Sequence, residues 1–441
     1  MDEILFTHIC EVIFKNTNDL IILEKLKRVN ILWKNSIDKI LETSDIWKRA
    51  CLNEIPSEPI PFMITRFFPM VHFENYHELD DLKVWRTVYF SYRKWKILSK
   101  LRVSVEVSYQ PAVISNRPEG IWAFASNDKY FAVGNSRGII YLFDFNRLNE
   151  PVQTINFEKI IKNIKFWSPA SGDLFIVARI EPGNIKFWNV SAMTEVECIN
   201  SNDDTRIDVL CTGSPNILFT INNRRLYEYK HTTDGIRLYR IDNLQLPLRT
   251  VTGSVENDKI IYVSTDEDSV TFYNYRNQTS YGNHNIIEED HQIFPAWSNN
   301  NIHPYDSPTF VFLSSNVILQ AIAKENSCLL IYNQRTNWTM HKPFESSGYS
   351  NLVTAGILHG KLLILGFKTG HVRIYTIENI ESLKTSKLDL NSGIEYLLSN
   401  EEILPDIVRL EVAETQGKLI ILARTAFVVH SINFFPNNNP Q

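Results

Sequence analysis

Glycine is scarce, with 16 of 441 residues, about half the usual share. Collagen-like and glycine-rich low-complexity structure are thereby excluded. The five cysteines (Cys10, Cys51, Cys198, Cys211, Cys328) are widely spread, with no Cys-x-x-Cys pair. Disulfide frameworks and zinc ribbons need clustered cysteines, so neither is expected. Basic charge is not in excess: 45 Lys and Arg stand against 50 Asp and Glu, a net charge of −5. No whole-chain field for nucleic acid or an anionic membrane follows from that balance. No stretch reaches the roughly 18–20 continuous apolar residues of a membrane helix. The start, MDEILFTHICEVIFKNTND, carries acidic residues where a secretory leader has basic ones. A cytoplasmic or nuclear location with reduced thiols is expected. Phosphate-loop, dinucleotide, HExxH and EF-hand patterns are missing, and the histidines show no metal-ligand spacing, so no cofactor or metal is expected.

The chain does have ample apolar material, 44%, and an aromatic content of 12% that favours strands. From about residue 120 a short apolar run, a polar turn and a second alternating run recur seven times, as in YFAVGNSRGIIYLFD (130–144) and LFIVARIEPGNIKFWN (174–189). The second run usually ends in an aromatic: Phe143, Trp188, Tyr229, Tyr273, Tyr332, Tyr375, with His430 in the last copy. The spacings of 45, 41, 44, 59, 43 and 55 lie mostly near the period of a four-stranded propeller blade. A further apolar stretch precedes each pair and suits an inner strand, from IWAFA (121–125) to VRLEVA (408–413). One small sheet cannot cover both its faces, whereas sheets stacked radially cover one another. The seventh repeat runs out of chain before a fourth strand. RVSVEVSYQ (102–110) alternates strictly, and it is assigned as that strand.

This pattern resembles the WD40 propeller family over about residues 102–435, although no Trp-Asp or Gly-His pair marks the repeats. The resemblance implies a mainly β fold, a seven-bladed WD40-like propeller over 102–441. Another all-β repeat ring is the alternative. Family members that bind phosphorylated peptides use arginines on inner strands and in the turns after the second strand. The matching residues here are Arg137, Lys165, Arg179, Arg224, Arg409 and Arg424. Ordinary charged turns are the competing explanation.

The first hundred residues differ in kind. Ile9, Val12 and Ile13 form a helical stripe, and Ile22, Leu23, Leu26 and Val29 recur at helical spacing, with Trp33 continuing the series at i+4 from Val29. Ser44 can open a short helix carrying Trp47, Ala50 and Cys51. ICEVIF, Asp19-Leu20, Val29-x-x-x-Trp33 and Asp45-Ile46-Trp47 together resemble an F-box at 1–53, without the usual opening Leu-Pro. A linker is expected at 54–101: a proline-rich extended or turning stretch, PSEPIPFMITRFFP, then one helix over 81–101. That helix's Trp85, Tyr89 and Trp95 resemble the helix joining F-box to propeller in F-box/WD-repeat proteins. The family implies a non-catalytic substrate receptor of an SCF-type cullin–RING ubiquitin ligase. Ile9, Val12, Ile13, Leu20, Leu23, Leu26, Val29, Trp33 and Trp47 would then contact the adaptor subunit, and the propeller would hold a protein substrate. Plain packing within a helical head, on a scaffold without a ligase role, is the other possibility.

Two features hint at other chemistry. Gly134-Asn135-Ser136-Arg137-Gly138 matches GxSxG, but a nucleophile elbow needs a helix next, and IIYLFDF reads as a strand. Asp266-Glu267-Asp268 reads as a solvated acidic turn, with a cation site as the sharper alternative.

Overall fold

The second strand of each repeat is apolar at nearly every position, and such a strand is stable only with both faces covered. The computed structural model describes residues 20–435, apart from interior stretches of which the longest are 200–206, 212–216, 244–249, 296–308, 322–327, 345–351 and 399–404. The chain divides into two compact units, Met1–Lys100 and Leu101–Gln441.

The larger unit is mainly β. Among the described residues it holds seven sheets of four or five strands and a two-stranded ribbon. Six of the seven are four-stranded antiparallel sheets; the third gains a short parallel edge strand, Cys198–Ile199. Their leading strands are Ile121–Ser126, Ile161–Trp167, Val209–Cys211, Thr250–Glu256, Thr309–Ser314, Val353–His359 and Arg409–Thr415. Each leading strand lies beside that of the next sheet, and the seventh lies beside the first. Arg102–Tyr109 pairs antiparallel with Val429–Phe435 and forms the edge of the seventh sheet, as its alternation and position suggested.

Apolar layers fill the spaces between sheets. Ala132, Ile140 and Leu142 of the first sheet meet Ile161, Ile164 and Ile176 of the second. Phe131, Val133 and Phe143 of the first meet Ile420 and Leu422 of the seventh. The second strand of the sixth sheet, Leu362–Phe367, is buried at all six positions. Close approach needs small residues: a Cβ at Gly134 would come within 2.7 Å of Ile161, and one at Gly366 within 2.5 Å of Ile407.

The smaller unit is helical: α1 (Leu20–Leu26), α2 (Ile31–Leu41), α3 (Ser44–Glu54), α4 (Pro59–Phe67) and α5 (Leu82–Lys96). Three sequence expectations change here. The helical series does not run unbroken from Ile22 to Trp33, because α1 ends at Leu26 and the Asn30 side chain accepts from the Trp33 N–H, capping a new helix. The proline-rich stretch is helical over Pro59–Phe67 rather than extended or turning. Pro59 and Pro61 sit in the first turn of α4, where no backbone N–H is needed. Nor is 54–101 a spacer: Ile60, Met63 and Ile64 of α4 and Val84, Trp85 and Tyr89 of α5 share one core with Ile37, Ile40, Trp47 and Cys51. Polar bonds fix that core. Trp47 Nε1 donates to the Leu41 carbonyl (2.8 Å), Trp85 Nε1 to the Leu79 carbonyl (2.9 Å) and the Tyr89 hydroxyl to Glu54 (2.8 Å).

Candidate functional site

The head presents the first candidate surface. Of the stripe expected to face an adaptor, Leu20, Leu23 and Trp47 are buried in the head's own core, and Leu26 and Trp33 pack against it half-buried. This corrects the expectation that those side chains face outward. Spacing shows that a residue lies on an apolar stripe but not which neighbour covers it. Val29, at 58%, and Ile22 of the same helical series are exposed. Ile31 (64%) and Leu32, outside that series, are exposed as well. α1 has ended at Leu26 and Asn30 opens α2, so Val29 lies in the turn between the two helices and Ile31 and Leu32 on the first turn of α2. Ile9, Val12 and Ile13 lie outside the described residues.

The second candidate is the set of basic residues. Arg424, at the end of the second strand of the seventh sheet, donates an Nη2–H to the Ile121 carbonyl of the first sheet. Burial, and next the charge of Arg409, push its pKa down to about 10. Arg409 closes both Nε (3.0 Å) and Nη2 (2.8 Å) on one oxygen of Glu411, and the Ser126 hydroxyl of the first sheet donates to the other (3.2 Å). Arg179 holds the matching place in the second sheet, and its Nη1 donates to the Ile207 carbonyl just before the leading strand of the third (3.2 Å). Arg137 lies 2.9 Å from Glu119, whose side chain is nearly buried. Lys165 is half-buried in mid-strand, opposite Val177. Arg224 lies outside the described residues, as do Asp266, Glu267 and Asp268.

The structure thus brings Arg409 and Arg424 together but turns their donors inward. Arg179 and Arg424 act as clamps between neighbouring sheets, where a guanidinium fork bridges backbone that an ammonium would reach less well. The sequence signal for this was the small residue just before each, Ala178 and Ala423, at the place where the next sheet approaches closely.

Ser136 sits in the hairpin turn between strands Tyr130–Asn135 and Ile139–Asp144. That turn is held by the Asn135 side chain, which accepts from the Arg137 and Ile139 N–H groups. Among the described residues no group of three His, Cys, Asp or Glu is placed to hold a metal ion. No helix among them is long and apolar enough to cross a membrane.

No protein-family model matches the chain, and no curated protein does. Among solved structures, the computationally designed Ika8 protein aligns with a TM-score of 0.44 at 11% identity, covering 74% of this chain and 99% of that one.

Proposed function

We propose that this protein is a non-catalytic substrate receptor of an SCF-type cullin–RING ubiquitin ligase. Its helical head docks on the adaptor subunit, and a seven-bladed WD40-like propeller holds the target protein. One observation carries the docking half: Val29, Ile31 and Leu32 stand exposed around the Asn30 cap, apolar side chains that the head leaves uncovered. The propeller half draws support from leading strands that neighbour one another in cyclic order and from apolar layers between successive sheets. Its contribution to ubiquitin transfer is proximity, since bond-making belongs to other subunits. A propeller scaffold whose head is only a cap competes with this, and the burial of Leu20, Leu23 and Trp47 favours that rival. Gel filtration of the full chain with a recombinant SCF adaptor decides between them. Co-elution at micromolar concentration is expected; separate elution of the folded protein would leave the scaffold.

A further inference from the structure

The helix α5 carries Lys83, Arg86, Arg93, Lys94 and Lys96 and no Asp or Glu. Its inward face is Val84, Trp85, Val88, Tyr89, Ser91 and Trp95, all buried. At about 3.6 residues per turn, Arg86, Phe90, Arg93, Lys94 and Ile97 fall together on the other side. Phe90 is 37% exposed, and Ile97, at the C-cap, 45%. The outer stripe of α5 is thus cationic with two apolar side chains set into it.

The acids near this stripe are few, and most are engaged. α3 and α4, which pack against α5, add Lys48, Arg49 and Arg66 but only Asp45 and Glu54. Asp45 meets Arg49 at 3.1 Å. Glu54 meets Arg93 at 3.2 Å and takes the Tyr89 hydroxyl. Glu78, Asp80 and Asp81 precede the first turn of α5. Asp81 is its N-cap, accepting from the Lys83 and Val84 N–H groups, and Glu78 accepts from the Asn75 amide. Eight Lys and Arg on the three helices therefore face two acids, or five with the residues before α5, in a chain whose net charge is −5. Arg86 meets no carboxylate among the described residues. Its guanidinium lies 5.7 Å from the ring centre of Trp47 and 5.8 Å from that of Phe90. Resting on two rings, it is already ordered while its charge is unmatched.

Charge calls for an anionic partner, and the apolar pair restricts its kind. Phe90 and Ile97 are two helical turns apart, about 10 Å, the repeat at which a second helix presents successive apolar side chains. A phosphate backbone would use the cations and leave both apolar groups uncovered. A bilayer takes a helix by its broad apolar face, and that face of α5 is buried in the head. An acidic helix with an apolar seam matches the cations and the spacing together.

We infer that the outer stripe of α5 docks an acidic amphipathic helix of a partner protein, with aliphatic side chains on Phe90 and Ile97 and a carboxylate on Arg86. The surface uses residues other than Val29, Ile31 and Leu32, and it stands whether or not an adaptor binds there.

The test titrates the full chain into a fluorescein-labelled peptide of three Leu-Glu-Ala-Leu-Glu-Glu-Ala heptads. Fluorescence anisotropy is expected to show binding at tens of micromolar that weakens several-fold as salt is raised. Peptides with Gln for Glu, or Ser for Leu, should each bind about tenfold more weakly. Arg86→Glu and Ile97→Ser, both at exposed positions, should each weaken binding about tenfold with thermal unfolding unchanged. Phosphatidylserine vesicles and duplex DNA are titrated in parallel. Tighter binding of either than of the peptide, equal binding of the Gln peptide, binding undiminished in both variants, or no peptide binding would each overturn the inference. So would dimerisation of the full chain that Arg86→Glu abolishes, since the stripe would then serve a second copy.

Discussion

Arg409 and Arg424 face each other in register across neighbouring strands, yet their guanidinium groups serve different partners. Arg409 closes on Glu411 within its own sheet, while Arg424 reaches the Ile121 carbonyl of the next. Glu411 keeps two like charges apart and also takes the Ser126 hydroxyl, so one carboxylate joins both sheets.

Glu411→Gln is therefore expected to destabilise the protein by about 1–2 kcal/mol, because Arg409 is left beside a second cation. The loss should be greater at low ionic strength, where repulsion is less screened. Urea denaturation at two salt concentrations measures it, and equal stability at both would refute the role given to Glu411.

Gly366→Ala should cost about 1–3 kcal/mol, since the new methyl carbon would lie 2.5 Å from Ile407 Cγ2. Shortening the opposing side chain by Ile407→Ala should recover part of that loss. If the double variant is as unstable as the sum of the two singles, the close approach is not the cause.

Much of the β unit was legible in the sequence because its signals are local. Strict alternation marked 102–110 as a half-covered edge strand, and continuous apolar runs marked strands covered on both sides. The residues from Phe143 to His430 that marked the repeats all fall on the third strand of their hairpins. What depends on the neighbour across a gap was not legible. An arginine in a turn looks the same in sequence whether it meets solvent or the Ile121 carbonyl. Trp47 and Val29 both read as apolar residues on a stripe, but α5 covers the first, while the second falls in the exposed turn between α1 and α2. Pro59 and Pro61 suggested an extended or turning chain because proline is equally at home there and in the first turn of a helix.

Cys51 is fully buried, and its thiol donates to the Trp85 carbonyl at 3.3 Å. Burial first, and then the charge of Glu54, push its pKa from 9.0 to about 12. A raised thiol pKa favours the neutral form in the fold. The resulting stability is complete below pH 9 and is lost as pH rises from about 9 towards 12, where the unfolded chain ionises first. At pH 8 iodoacetamide should leave Cys51 unlabelled in the native protein and label it in urea, while half-exposed Cys198 reacts in both. Mass spectrometry of the peptides reads this out. Rapid native labelling of Cys51 would contradict its burial.

Trp47 and Val29 should separate folding from docking. Trp47→Ala removes a buried indole, its bond to Leu41 and its edge contact with Tyr89, at a cost of about 3–5 kcal/mol. Head helicity should fall with it in circular dichroism, and any adaptor binding should be lost through unfolding. Full helicity in this variant would show that the core does not depend on Trp47.

The most direct measurement is calorimetric titration of recombinant SCF adaptor into the full chain, wild type against the double variant Val29→Asp/Leu32→Asp. Both substitutions lie on exposed side chains, so thermal unfolding should be unchanged. Wild type is expected to release binding heat at micromolar concentration and the double variant none. Heat that is identical in the two, or absent from the wild type, would contradict the proposed adaptor-docking surface.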